Sequence, residues 1–147
     1  MLLYSTSDSG YQRSLENCVM QSMAPGKGLY MPMSLPKLDE KFFRDIKQQS
    51  FPELALTLAK SMIGASVDDT TLKAIIDRAF DFPVVLQPVS SSIDSLELWH
   101  GPSLAFKDFG ARFMAGLMSH YNQNNDQKLT ILVATSGDTG GAVAYGF

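Results

Sequence analysis

Apolar positions along the chain follow a helical period over the first half, then alternate between strand and helix periods over the second. Leu15, Cys18, Val19 and Met23 recur at helical spacing until Pro25-Gly26-Lys27-Gly28 stops the run. Leu29-Tyr30-Met31-Pro32 reads as a short extended piece, and Asp39 is placed to cap a helix carrying Phe42, Phe43 and Ile46. A third helix is predicted from Pro52, a residue suited to a first helical position, to near Gly64. A fourth follows Asp68, Asp69 and Thr70, with Leu72, Ile75, Ile76, Ala79 and Phe80 on one face.

After Phe82-Pro83 the pattern changes. Residues 84–89 and 93–99 read as strands, the second alternating by twos. Phe106, Phe109, Phe113, Leu117 and Tyr121 restore the helical period, which Asn122, Asn124, Asn125 and Asp126 end. Residues 129–134, Leu-Thr-Ile-Leu-Val-Ala, form a compact run fit for a strand buried on both faces. A small-residue loop follows, then the start of another helix at Ala142-Val143-Ala144-Tyr145. The order strand–helix–strand–helix predicts a βαβ unit with a right-handed crossover. Loops after parallel strands lie along one sheet edge, where open α/β sheets bind ligands. The expected fold is therefore α/β, with a mainly helical N-terminal subdomain over 1–82 and the first βαβ units over 83–147. Lys107 and the loop Ser136-Gly137-Asp138-Thr139-Gly140 should then face one crevice.

Composition narrows the function classes. The 147 residues fit one domain, or a small domain plus part of another. A net charge of −3 without a basic stripe gives no indication of a nucleic-acid partner. No apolar run approaches the roughly 20 residues that span a bilayer, and no membrane partner is expected. The N-terminus lacks the basic region of a signal peptide. Cys18 is the single cysteine, which excludes an internal disulfide and fits a reducing, cytoplasmic setting. Cys18, His100 and His120 show no metal-ligand spacing, so no metal site is expected.

Candidate chemistry concentrates in the second half. Lys107 stands at the mouth of a predicted helix, between Phe106 and Phe109 and after a Gly101-Pro102 loop. A helix's first turn is electropositive and disfavours a charged lysine, and aromatic burial acts in the same direction. Both make a better nucleophile, as a Schiff-base lysine requires. The plainer reading is a solvated lysine paired with Asp108. Ser136 to Gly141 offers hydroxyls and the N–H groups of a helix start, which suit a carboxylate or phosphate. Alone, the same residues read as an ordinary turn capped by Ser136, Asp138 or Thr139. Asp138-Thr139-Gly140 also matches the aspartic-protease tripeptide, but the βαβ surroundings and the absence of a second copy oppose it. A Walker loop is excluded, since no Gly-Lys-Ser/Thr follows. His100 reads as a loop anchor or an acid–base group. Trp99, Phe106 and Phe109 read as core, with one of them available to flank a cofactor ring. Arg112 and Asp108 read as a helix-surface ion pair.

The segment His100-Gly101-Pro102-Ser103-Leu104-Ala105-Phe106-Lys107-Asp108, with Ala134-Thr135-Ser136-Gly137-Asp138-Thr139-Gly140, closely resembles the threonine synthase family. That family belongs to the tryptophan-synthase-β-like (fold type II) pyridoxal-phosphate enzymes. Tyr4-Ser5-Thr6, Ser14 to Val19 and Ala24 to Pro32 are similar to its N-terminal subdomain. The resemblance implies a lyase that turns O-phospho-L-homoserine and water into L-threonine and phosphate. It implies that Lys107 holds pyridoxal 5'-phosphate as a Schiff base, with Phe106 and Asp138 beside the cofactor. It also implies that Ser136, Gly137, Asp138 and Thr139 hold the substrate's α-carboxylate. Ser103 stands where the family has threonine, and Ser7 where it often has arginine. Family members run to several hundred residues, and their glycine-rich cofactor-phosphate loop lies beyond Phe147. The expectation is an N-terminal piece, inactive by itself. Other readings are a catalytically dead relative serving as an interaction module, or another fold type II lyase such as a serine/threonine dehydratase.

Overall fold

Strand β1 (Leu2–Ser5) lies between β2 (Asp8–Ser14) and β3 (Tyr30–Pro32), antiparallel to both. The computed structural model describes residues 1–125 and 128–147, so Asp126, expected among the helix-ending residues, lies outside the described residues. The extended piece expected at residues 29–32 is β3, but β1, β2 and their three-stranded sheet were not anticipated. Its sequence signal is weak for a physical reason: no residue of β2 is buried, so it carries no alternating apolar face. Hydroxyls fix the sheet's turns instead. Thr6 Oγ1 accepts from the Leu29 N–H at 2.9 Å, and Ser7 Oγ donates to the Pro25 carbonyl at 3.2 Å. Ser7, where the family pattern often has arginine, also meets the fully buried Ser5 hydroxyl at 2.9 Å.

The helices start where capping chemistry places them. Ser14 Oγ accepts from the Asn17 N–H to open α1 (Leu15–Gln21), and Asp39 accepts from the Phe42 N–H to open α2 (Glu40–Asp45). Helix α1 stops before Met23, which is exposed. Helix α3 (Phe51–Ile63) begins one residue before Pro52, behind Ser50. Asp68 accepts from the Thr70 and Thr71 N–H groups at the head of α4 (Asp69–Ala79). Two compact units result, Met1–Ala74 and Ile75–Phe147. In the first, Leu3, Leu15, Val19, Ile63 and Leu72 are buried together with the Cys18 thiol. Burial pushes that thiol above its ordinary value, in keeping with a packed, protonated side chain.

The second unit holds the end of α4, strands β4 (Val85–Ser90) and β5 (Ile93–Glu97), and helices α5 (Lys107–Asn122) and α6 (Asp138–Gly146). Both strands lie where the apolar runs placed them, but they pair antiparallel with one another. Pro88, which cannot donate to a ladder, sits where the register shifts. Residues 129–134 form no strand among the described residues, and Leu132 is 90% exposed. The expected βαβ unit is therefore corrected to a hairpin, a helix, an unpaired apolar run and a second helix. A doubly buried strand needs a bonded neighbour, and β4 and β5 satisfy each other.

Aromatic rings fasten the start of α5. Phe109 lies 6.0 Å from Phe80 and 4.9 Å from Phe82, and Phe113 stacks on Phe80 at 6.2 Å. Arg112 pairs with Asp81 at 2.8 Å and donates to the Arg78 carbonyl. This replaces the expected Arg112–Asp108 pair, because Asp108 is fully buried.

Gly116 carries a packing constraint: a Cβ there would stand 2.7 Å from Ile75 Cγ2. Gly116→Ala should destabilise the protein by about 1–3 kcal/mol, outweighing the ~1 kcal/mol that alanine gains in a helix. Denaturant unfolding checks this, and in a double-mutant cycle with Ile75→Ala the two losses should be less than additive. At α3, Glu53 accepts from the Ser50 hydroxyl and N–H, both at 2.7 Å, and these bonds hold its carboxyl below the usual value. A lowered folded value means the cap is fully present above the ordinary carboxylate range and lost as pH falls through the folded value. Amide shifts of residues 50–55 should follow that titration, and Glu53→Gln should flatten it.

Candidate active site

Lys107 is the first residue of α5, and no side chain caps that helix. Its Nζ stands 4.1 Å from the centroid of the Phe106 ring, which is 55% exposed. Phe109 turns away into the ring cluster with Phe80 and Phe82. The amine is thus covered by one aromatic face rather than enclosed by two. Trp99, 48% exposed, is likewise not core, and Phe109 is half-buried within the ring cluster. Among the described residues no carboxylate pairs with Lys107.

The loop before the lysine is folded on Asp108. This side chain is fully buried, and its Oδ2 accepts from the Ser103 N–H at 2.9 Å. Its other oxygen, Oδ1, and the buried Ser103 hydroxyl have no hydrogen-bond partner among the described residues. Leu104 takes a left-handed φ of 57°, a conformation that costs a non-glycine residue about 1–2 kcal/mol. The Leu104 N–H donates to the Gly101 carbonyl, the Asp108 N–H to Ala105 and the Phe109 N–H to Phe106. Ahead of the loop, His100 Nε2 meets Glu97 Oε2 at 2.7 Å, which makes His100 the anchor of the strand end.

The second loop is organised by a residue that motif reading did not single out. Thr135 Oγ1 accepts from the N–H groups of Gly137 and Gly140, both at 3.0 Å. Neither Ser136, Asp138 nor Thr139 caps α6; its N-cap is Gly137, without a side-chain hydrogen bond. Ser136, Gly137 and Asp138 are exposed, and Thr139 is half-buried. Asp138 occupies the first turn, where a negative charge is favoured. Helices α5 and α6 pack on each other, with Gly146 against the backbone of Ala111 and Arg112. Among the described residues, however, no hydrogen bond, ion pair or ring contact joins Lys107 or Phe106 to residues 136–139. Chemically, the two loops offer an unpaired primary amine at one helix start and exposed small polar residues at another.

Residues 3–80 match the family described as threonine synthase N terminus. The threonine synthase of Serratia marcescens is 39% identical over 147 residues, covering 100% of this chain and 34% of that protein. Threonine synthase-like 2 of Pongo abelii is 33% identical over 97% of this chain and 31% of that protein. The crystal structure of threonine synthase from Escherichia coli superposes with a TM-score of 0.93 at 38% identity, covering 100% of this chain and 34% of that one. A pyridoxal-phosphate-bound threonine synthase from Brucella melitensis gives 0.92 at 28% identity, covering 100% and 33%. The chain spans about a third of the length of the curated relatives it matches.

Thr135→Val removes one acceptor from two N–H groups. The expected cost is about 0.5–1.5 kcal/mol, with faster amide exchange at Gly137 and Gly140. Thr135→Ser should restore both, as read by hydrogen-exchange NMR.

Proposed function

The chain belongs to the threonine synthase family, and we propose that it carries the lysine-bearing portion of an enzyme converting O-phospho-L-homoserine and water into L-threonine and phosphate. The observation that carries this reading is Lys107 itself, at the first position of α5 and without an acidic partner among the described residues. It ends a loop whose sequence resembles the family's cofactor-lysine motif. The residues present suit pyridoxal 5'-phosphate: an amine able to bond its aldehyde, an exposed ring at Phe106, and Asp138 at a helix start. Residues 83–147 are read as the start of the cofactor-binding domain and residues 1–82 as the N-terminal subdomain. A cytoplasmic setting agrees with the lone, buried Cys18 thiol.

When bound, pyridoxal phosphate supplies an electron sink that stabilises negative charge at the substrate's α-carbon. The protein's residues do the rest. Lys107 would hold the cofactor through its amine and would move protons at the substrate's α- and β-carbons. Ser136, Gly137 and Thr139 hold the α-carboxylate through hydroxyls and the first-turn N–H groups of α6. Asp138 would stand beside the cofactor. The γ-phosphate would leave with its bonding pair, the γ-carbon would take up a proton to become the methyl group, and water would supply the hydroxyl that appears at the β-carbon.

In the intact protein loaded with pyridoxal phosphate, phosphate release from O-phospho-L-homoserine should match threonine formed. Lys107→Ala should abolish the visible cofactor band and lower turnover at least ~100-fold, the lower bound for a lost proton-transfer group. Persistence of the band would refute the assignment. Residues 1–147 alone should bind the cofactor weakly and release no phosphate. Intact protein that binds cofactor normally but never releases phosphate would instead favour a non-catalytic relative.

A further inference from the structure

We propose that Asp108 is a positioning residue for Lys107: its buried carboxyl is the post around which Gly101–Phe106 is wound, and so it sets where the amine stands. The proposal rests on reading Lys107 as the cofactor-bearing residue. Three observations carry it. The carboxyl is fully buried, yet among the described residues only one of its oxygens is bonded, and that bond goes to the Ser103 backbone five residues upstream. Burying an acceptor is costly, so the one bond this carboxyl makes, to the loop backbone, is what its burial serves.

Second, the backbone of Gly101 lies against the same group. A Cβ at Gly101 would stand 2.4 Å from Asp108 Oδ2, 2.9 Å from its Cβ and 3.0 Å from its Cγ. Third, the loop is held in a strained form, with Leu104 at a φ of 57°, and nothing bonds its Ser103 hydroxyl among the described residues. A strained loop persists only where its surroundings over-determine it. The Ser103 and Gly101 contacts with Asp108 supply that constraint, and Lys107 is the residue between the loop's end and its post.

The test uses the intact protein loaded with pyridoxal phosphate. Its main readout is borohydride trapping of the cofactor followed by peptide mapping, with the visible spectrum and thermal midpoint measured in parallel. Asp108→Ala should lower the share of label found on Lys107 at least fivefold and shift the cofactor band. Asp108→Asn keeps an acceptor toward the Ser103 N–H and should restore most of the label. Gly101→Ala drives a methyl group into the carboxyl and should resemble Asp108→Ala. The double variant Gly101→Ala/Asp108→Ala should lose less label than the two single losses combined, because both changes disturb one contact.

If Asp108→Ala lowers only the thermal midpoint, with label and band unchanged, the proposal is overturned. If Asp108→Ala does not fold, the Asn and Gly101→Ala variants decide: normal labelling in Gly101→Ala, or no retention in Asp108→Asn, overturns it. Label that avoids Lys107 in the unmodified protein would sink the functional reading instead, so the two failures are separate.

Discussion

Much of the lysine-bearing unit depends on one buried carboxyl. Asp108 belongs to the first turn of α5, but its side chain serves the loop that precedes the helix. A helix can start almost anywhere that a chain turns; what fixes this start is a backbone N–H and a glycine pressed against one acid. The ring cluster of Phe80, Phe82, Phe109 and Phe113 then fastens the same helix one turn further on. Polar fixation by Asp108 and aromatic packing by Phe109 and Phe113 leave Lys107, half-buried, at the very start of the helix. Its amine rests on the exposed ring of Phe106.

Legibility of the chain tracked how locally each feature is determined. Helices α2 to α4 were readable because capping and amphipathic spacing are local: Asp39, Asp68 and the Leu72–Ile76 stripe act within their own segments. Of the N-terminal sheet only the extended piece that holds β3 was readable, because β2 has no buried residue and so shows no alternating apolar face. The hairpin β4–β5 was found as two strands and missed as a pair, since apolar runs reveal strand character but not partner or direction.

The candidate site divides in the same way. Lys107 and the small-residue loop stood out by motif, and each lies at the start of a helix as expected. Thr135 and Asp108 did not stand out. A threonine that serves two N–H groups reads like any loop threonine. An acid in the second helical position is usually solvated, and nothing in its neighbours announces that this one is covered. Its closest sequence-level clue is Gly101, whose missing side chain makes room for it.

Residues 129–134 have a consequence for handling the molecule. The run Leu-Thr-Ile-Leu-Val-Ala contains no charge and no proline, and Leu132 is nearly fully exposed. A short, uncharged, strand-forming segment with open backbone N–H and C=O groups is the kind that templates cross-β stacking between chains. Until another strand occupies that edge, the segment is a nucleus for self-association. Concentration, dwell time and chaperone supply will therefore govern the yield of these 147 residues as a separate polypeptide, more than their folding free energy will.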